Sequence, residues 1–97
     1  MRERDVEHAL VAGVKKAGGL CLKFVSPGWS GAPDRLCLFP EGKACFVEVK
    51  APGQRPRPLQ EHAMGQLKKL GFMVVVLDDP KKIPALIKAM KGGDSFG

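Results

Sequence analysis

Residues 34–50 read DRLCLFPEGKACFVEVK, and this stretch decides the fold. Two apolar runs, Arg35–Phe39 and Ala44–Lys50, flank the short turn formed by residues 40–43. Because so short a connection joins antiparallel neighbours, the stretch predicts a β-hairpin. Side chains alternate along a strand, so Glu48 and Lys50 are expected to share one face of the second hairpin strand.

The segments on either side of the hairpin have their own periodicities and stop signals. Helical spacing of apolar residues predicts a helix from Asp5 to Ala17, which Gly18 and Gly19 end. The remaining predicted elements are a strand at Leu20–Val25, a Gly/Pro loop at 26–33, a basic loop at 51–56, a helix from Pro58 to Leu70, a strand at Phe72–Leu77 and a helix capped by Asp78-Asp79-Pro80. We therefore expect the element order α-β-β-β-α-β-α.

The second helix connects two predicted strands, which defines a crossover unit. Such units are right-handed and join parallel strands, so the third and fourth strands are expected to be parallel. Residues 72–77 are apolar without alternation, which is typical of a strand covered on both faces. The sequence thus predicts one α/β domain, residues 1–91, with a mixed sheet flanked by helices and a flexible tail at 92–97.

Charge and composition limit the classes of function. The 97 residues include 16 Lys and Arg against 10 Asp and Glu, a formal net charge of +6. This excess favours an anionic partner, nucleic acid before membrane. No apolar run approaches the roughly 20 residues that span a bilayer, and the charged N-terminus does not resemble a signal peptide. We expect a soluble, cytoplasmic protein that binds no membrane and no small-molecule cofactor.

The three cysteines each lie in an apolar, strand-like stretch. They are Cys21, Cys37 and Cys45, none of them in a C-x-x-C spacing. A zinc site would need tighter spacing and more histidine. We interpret them as reduced cysteines that serve as small core residues.

Two carboxylates are expected to meet on adjacent strands. Asp34 opens the first hairpin strand and Glu48 lies near the end of the second. Neighbouring strands are about 4.8 Å apart, so the two acids can share one divalent cation, with Lys50 beside it. Hard oxygen ligands select Mg²⁺ or Mn²⁺, and this combination suits phosphodiester hydrolysis. The alternative is a surface strand that ends in an ordinary acid-base pair, because E-x-K is a common tripeptide.

Four motif parts, in order, resemble a known nuclease family. The chain contains an acid in the first helix, the turn Gly31-Ala32-Pro33-Asp34, the strand ending Glu48-Val49-Lys50, and Gln60 in the first turn of the next helix. This arrangement resembles the VRR-NUC family of the PD-(D/E)XK nuclease superfamily. The resemblance implies a restriction-endonuclease-like mixed sheet and an active enzyme.

The resemblance also implies roles for individual residues. Asp34 and Glu48 would be the central metal ligands, with the backbone carbonyl of Val49 as a further ligand. Lys50 would be the catalytic lysine, and Gln60 would orient water or Lys50. Glu7 matches the first-helix acid as a catalytic residue and additional metal ligand, with Glu3, one turn earlier, as the competing candidate.

The nucleic-acid interface is expected near the proposed site. Arg55 and Arg57, in and beside the loop that follows Lys50, are the first candidates for phosphate contacts. The secondary candidates are Lys23, Arg35, Lys15 and Lys16. Trp29 is equally suited to insert between DNA bases, to pack at a subunit interface or to pack against the domain's own core.

The resemblance to stand-alone VRR-NUC proteins, which are similar to archaeal Holliday junction resolvases, implies a specific activity. We expect a metal-dependent, structure-selective DNA endonuclease that acts on branched DNA as a homodimer. One alternative is a nicking or restriction-like nuclease that works with a partner. The other is a non-catalytic basic module that binds nucleic acid.

Overall fold

The computed structural model describes residues 1–92 of the chain. Its elements are α1 (Glu3–Lys16), β1 (Leu20–Lys23), β2 (Arg35–Phe39), β3 (Lys43–Val49), α2 (Pro58–Lys69), β4 (Met73–Leu77) and α3 (Ile83–Gly92), with 3₁₀ turns at Pro40–Gly42 and Pro80–Lys82. The predicted order α-β-β-β-α-β-α is confirmed.

The four strands form one mixed sheet in the order β1-β2-β3-β4. β1 and β3 both run antiparallel to β2, and β4 runs parallel to β3. The predicted hairpin and the predicted parallel crossover pair are therefore confirmed. The connection from β3 to β4 passes through α2, as short parallel crossovers require.

Element ends differ from the predictions by a few residues. β1 stops at Lys23, because the chain then enters the Gly/Pro loop. α3 begins only at Ile83, since the Asp79 carboxylate accepts a hydrogen bond from the Lys81 N–H at 2.9 Å and holds a 3₁₀ turn first. Gly92 belongs to α3 rather than to the predicted tail, and residues 93–97 lie outside the described residues.

The sheet separates two apolar clusters of unequal size. The larger cluster contains buried apolar residues of α1 and α3 together with the buried odd-numbered residues of β2, β3 and β4, among them Cys37, Cys45, Val47 and Val49. The smaller cluster lies under α2 and contains Phe46, Met64, Leu67 and Val74. Alternation along β3 therefore places Glu48 on the α2 side, in register with Phe46.

β4 corrects one expectation. It lies at the edge of the sheet, and Val76 remains 36% exposed on the α2 side while Val75 and Leu77 are buried. The prediction that this strand is covered on both faces is thus wrong at Val76, because α2 packs over Val74 and Phe46 but does not extend over the whole strand.

No helix in residues 1–92 is long and apolar enough to span a membrane.

Candidate active site

Asp34 and Glu48 lie opposite each other at one end of the sheet. The β2–β3 register pairs Arg35 with Val47, and its continuation by one residue brings Asp34 opposite Glu48. Both side chains are then on the α2 side of the sheet. The Asp34 carboxylate accepts a hydrogen bond from the Val49 backbone N–H at 3.0 Å, which fixes it against the end of β3.

Glu48 is the buried acid of this group. Its side chain is 1% exposed. One oxygen, Oε2, accepts a hydrogen bond from the Gln60 amide at 2.6 Å and lies 3.4 Å from the Lys50 ammonium nitrogen. The other oxygen, Oε1, is buried with no hydrogen-bond partner among the described residues. A buried carboxylate oxygen without a partner is costly, so this atom lacks the ligand that would satisfy it.

The pKa of Glu48 reports the same imbalance. Burial disfavours the charged carboxylate, and the negative charge of Asp34 adds to that effect, so the pKa of Glu48 is raised from 4.5 to about 7. The Lys50 ammonium lowers this pKa and offsets only part of the rise. A second positive charge at Oε1 would keep Glu48 ionised.

The donor atoms at this end of the sheet fit a hard divalent cation. Glu48 Oε1 and the Asp34 carboxylate are oxygen donors of the type that Mg²⁺ and Mn²⁺ prefer. The Val49 N–H points toward Asp34, and because a strand residue's N–H and C=O lie on the same side, its carbonyl points that way too.

The number of acidic ligands is limited. Among residues 1–92 no group of three or more His, Cys, Asp and Glu side chains lies close enough to hold a metal ion. Two carboxylates would therefore supply only part of the shell, which suits Mg²⁺, an ion that keeps several waters or takes substrate phosphate oxygens.

Gln60 connects the site to the start of α2. Its side-chain oxygen accepts a hydrogen bond from the Arg57 N–H at 2.8 Å while its amide nitrogen donates to Glu48. The first bond satisfies a free N–H at the helix N-terminus. Both ends of the Gln60 amide are thus occupied, which fixes its orientation toward Glu48.

Gly31 sets where α2 begins relative to Asp34, a role that the sequence reading missed. It has φ +83°, and an added Cβ would lie 2.5 Å from the Leu59 carbonyl oxygen and 3.1 Å from the Gln60 nitrogen. The loop before Asp34 therefore touches the first turn of α2 through backbone atoms. The glycine in the G-x-P-D turn was the available signal, because close approach and positive φ both require glycine.

Glu7 lies with Arg35, on the other side of the sheet. The Arg35 Nε atom donates to the Glu7 carboxylate at 2.8 Å, and both side chains are mostly buried. Arg35 pairs with Val47, so it faces α1, whereas Glu48 faces α2.

Glu3, at the start of α1, is the helix acid whose charge raises the pKa of Glu48. The structure thus brings Asp34, Glu48, Lys50 and Gln60 together and places Glu7 in an ion pair.

Five of the six predicted phosphate-binding residues divide into two groups by position, and the sixth, Arg35, is mostly buried in its ion pair with Glu7. Lys23, Arg55 and Arg57 are exposed, and they lie at the end of the sheet that carries the acids, since Lys23 pairs with Arg35 and the 51–57 loop leaves from β3. Lys15 and Lys16 are exposed at the end of α1, which leads into Leu20 at the opposite end of the sheet. They are therefore remote from the acids.

Basic residues also line a groove along α2. The groove has a volume of about 400 Å³ and is lined in part by Arg55, Lys68 and Lys82, and its lining also includes Glu61 and Asp78, the ion-pair partner of Lys82. Trp29 lies elsewhere on the α2 side. It packs against the smaller apolar cluster and donates a hydrogen bond to the Gln66 side chain at 3.4 Å. Of its three suggested roles, the structure shows packing within the domain.

Comparison with known proteins identifies the class. The model of the VRR-NUC domain family matches residues 3–78, more than half of the chain. The chain therefore belongs to the VRR-NUC family and is a nuclease domain. The predicted family resemblance is confirmed.

Two relatives match over most of their length. The chain is 51% identical over 78 residues to the protein named "Putative nuclease p44" of Acyrthosiphon pisum secondary endosymbiont phage 1. This alignment covers 80% of this chain and 84% of that protein. A solved structure described as a VRR_NUC domain matches with 33% identity and a TM-score of 0.82. That match covers 89% of this chain and 94% of the solved one, and it confirms the fold class.

Proposed function

We propose that this nuclease domain is a metal-dependent endonuclease that hydrolyses phosphodiester bonds in DNA with Mg²⁺ or Mn²⁺. One observation carries the proposal: the buried Glu48 carboxylate has an oxygen with no hydrogen-bond partner in residues 1–92, lies opposite Asp34 and contacts the Lys50 ammonium. An uncompensated acid of this kind is unfavourable unless a cation joins it. The groups beside Glu48, a second carboxylate and an ammonium, are groups that metal-dependent phosphodiester hydrolysis uses.

Each residue at this end of the sheet then has a distinct part. A bound divalent cation would polarise the phosphate and supply an activated water. Lys50 presents its ammonium beside Glu48 and offsets the negative charge that develops on the phosphate oxygens. The Val49 N–H holds Asp34, and Gln60 holds Glu48, so that both carboxylates are oriented before substrate binds.

The charge distribution supports DNA as the substrate and its backbone as the main contact. Lys23, Arg55 and Arg57 are exposed at the same end of the sheet as the acids. Lysine and arginine side chains that contact phosphates give affinity without reading sequence. We therefore propose that the enzyme selects its DNA by shape, as a Holliday junction resolvase does.

An exposed sheet edge supports the proposed homodimer. β1 lies at the edge of the sheet, and its Leu20 and Leu22 side chains are 60% and 43% exposed. Unpaired backbone groups beside exposed leucines favour pairing with a second strand. A two-fold dimer built on this edge would present two equivalent sites to the two equivalent strands of a four-way junction.

Cleavage assays with end-labelled DNA test the activity. Purified protein is incubated with a four-way junction or with linear duplex, in Mg²⁺, Mn²⁺ or EDTA. Metal-dependent cutting of the junction alone supports the proposal, whereas equal cutting of linear duplex favours the nicking or restriction-like alternative. Binding without cutting in either metal favours the non-catalytic alternative. Asp34→Asn and Lys50→Ala are expected to abolish cutting and to leave junction binding nearly unchanged.

Light scattering coupled to size exclusion tests the dimer. The wild-type protein is expected to elute at twice its 10.5 kDa mass. Leu22→Lys is expected to yield monomer, because it places a charge on the exposed edge. Leu70→Lys is the matched control, since Leu70 is 74% exposed at the end of α2, away from that edge. A wild-type monomer at assay concentration contradicts this part of the proposal.

A further inference from the structure

Three cysteines lie side by side across three neighbouring strands. Cys21 of β1 pairs with Cys37 of β2, which in turn pairs with Cys45 of β3. All three thiols are free in the described structure. The Cys37 thiol donates a hydrogen bond to the Cys21 sulfur, and the two Sγ atoms are 3.6 Å apart. Neither residue belongs to the candidate active site.

The backbone between Cys21 and Cys37 suits a disulfide. The Phe24 N–H donates to the Asp34 carbonyl at 2.8 Å, which makes these opposite residues a hydrogen-bonded pair. Pair types alternate along antiparallel strands, so Cys21 and Cys37, three positions further on, form a non-hydrogen-bonded pair. Cα atoms in such pairs are about 4.5 Å apart, which lies within the range that disulfides bridge.

Cys45 is not an equivalent partner for Cys37. Its thiol donates to the Phe46 carbonyl at 3.4 Å and makes no hydrogen bond to another sulfur in the described structure. Cys45 is completely buried, and burial raises the pKa of its thiol to about 12. A thiol that stays protonated and inaccessible is chemically inert.

Cys21 is the reactive member of the pair. It is only partly buried, whereas Cys37 is fully buried. The hydrogen bond from Cys37 lowers the pKa of Cys21, and the nearby Arg35 guanidinium lowers it further. The same hydrogen bond and burial raise the pKa of Cys37. Peroxides react with accessible thiolates, so Cys21 is the sulfur that meets the oxidant and Cys37 is the neighbour that can resolve it.

We propose that Cys21 and Cys37 are a peroxide-responsive dithiol that closes into an intramolecular disulfide. The Cys21 thiolate attacks one oxygen of hydrogen peroxide, which forms an S–O bond, breaks the O–O bond and releases hydroxide. The Cys37 sulfur then attacks the Cys21 sulfenic sulfur. An S–S bond forms, and the hydroxyl leaves with the Cys37 proton as water. The two thiols supply the two electrons that reduce one peroxide to two waters.

Mass spectrometry of the wild-type protein tests the proposal without any measurement of DNA cleavage. The reduced protein is treated with equimolar hydrogen peroxide. One sample is alkylated in the folded state and a second after unfolding, and the peptides of both are mapped without reduction. We expect the three alkylatable cysteines to fall to one, with a Cys21–Cys37 peptide pair that dithiothreitol reverses. The remaining alkylated residue should be Cys45.

Variants separate this pairing from other oxidation chemistry. Cys45→Ala should give the same linked peptide at the same rate, and Cys37→Ala should leave a Cys21 sulfenic acid that dimedone labels. Sulfinic acid at Cys21 with Cys37 still alkylatable in the wild-type protein would overturn the proposal. So would a linked peptide that contains Cys45 or that joins two chains.

Discussion

The Gln60 amide donates a hydrogen bond of 2.6 Å to Glu48 Oε2, and this bond joins the first turn of α2 to the end of β3. Gln60 also accepts from the Arg57 N–H at 2.8 Å. The same side chain therefore caps a helix and orients a buried carboxylate. Helix capping alone would be satisfied by several residue types, but the Gln60 amide carries a carbonyl acceptor and an amino donor on one group and so bonds the backbone and the acid together.

Replacing Gln60 tests this double role. Gln60→Ala leaves a buried Glu48 oxygen without its amide donor, which costs about 1–3 kcal/mol in unfolding free energy, and it should reduce DNA cleavage at least tenfold. His62→Ala, which changes an exposed residue of the same helix, is the control and should change neither quantity appreciably. Chemical denaturation and cleavage of labelled DNA provide the two readouts. Wild-type cleavage by Gln60→Ala would show that Glu48 needs no such partner.

The raised pKa of Glu48 predicts how stability depends on pH in metal-free protein. In the folded state the Glu48 carboxyl holds its proton up to about pH 7, whereas the pKa of an unperturbed glutamate is 4.5. Between these values the folded state binds more protons than the unfolded state. The contribution of the Glu48 proton to the free energy of unfolding is therefore fully present below about pH 4.5 and is lost as the pH rises to about 7. The loss is up to about 3 kcal/mol.

Denaturation in EDTA at several pH values measures this effect. The difference between wild-type protein and Glu48→Gln isolates the Glu48 contribution, because glutamine has the same shape and does not titrate. We expect this difference to favour the variant increasingly from pH 5 to 7.5, and added Mg²⁺ or Mn²⁺ to restore wild-type stability at the higher pH. A difference that stays constant across the range rules out titration of Glu48 near neutrality.

The contact between Gly31 and α2 predicts unequal effects for two glycines with nearly the same positive φ. Gly31 has φ +83° and no room for a Cβ, whereas Gly53 has φ +82° and open space around it. Gly53→Ala should cost about 1 kcal/mol for the left-handed conformation alone. Gly31→Ala must also displace the start of α2, so it should cost more and reduce cleavage by moving Gln60. Equal losses of stability in both variants would contradict this reading.

The ion pair between Glu7 and Arg35 leads to a comparison of the two acids of α1. Glu7→Gln removes the negative charge from a mostly buried ion pair with Arg35 and should lower unfolding free energy by about 1–3 kcal/mol. Glu3→Gln should have little effect on stability, because Glu3 is exposed, yet it should change Mn²⁺ affinity more than Glu7→Gln does. Calorimetric titration with Mn²⁺ measures this. The reverse order of affinities would support Glu7 as the metal ligand.

The positions of the basic residues predict where DNA binds. The double variant Arg55→Ala with Arg57→Ala removes two exposed cations at the acid end, and should reduce the slope of log affinity against log salt by about 2. Lys15→Ala with Lys16→Ala removes the same charge from the far end and should leave the slope nearly unchanged. Fluorescence anisotropy with junction DNA in EDTA measures both. Similar losses from the two pairs would mean that binding follows net charge alone.

Much of the fold followed from local patterns. The short turn at residues 40–43 predicted the hairpin, and the helix between two apolar runs predicted the parallel pair. Alternation also placed Glu48 and Lys50 on one face. Edge position was not predictable, since β4 has the apolar composition of a central strand and its exposure at Val76 depends on how far α2 extends.

The candidate site was predicted only in part. The sequence pointed to Asp34, Glu48, Lys50 and Gln60, which the structure brings together. It did not show that Glu48 is almost completely buried, that Gln60 contacts it directly, or that Glu7 meets Arg35. These contacts join residues of different elements, so no local spacing encodes them.

The sequence by itself therefore determined the order of the elements, the faces of the strands and the types of residue available for chemistry, because turn residues and side-chain periodicity act over a few neighbouring positions. Only the tertiary structure decided which acid lost its solvent, which cation met which carboxylate, and which thiols came into contact. Burial and pairing depend on the packing of helices against both faces of the sheet, and that packing depends on the whole chain at once.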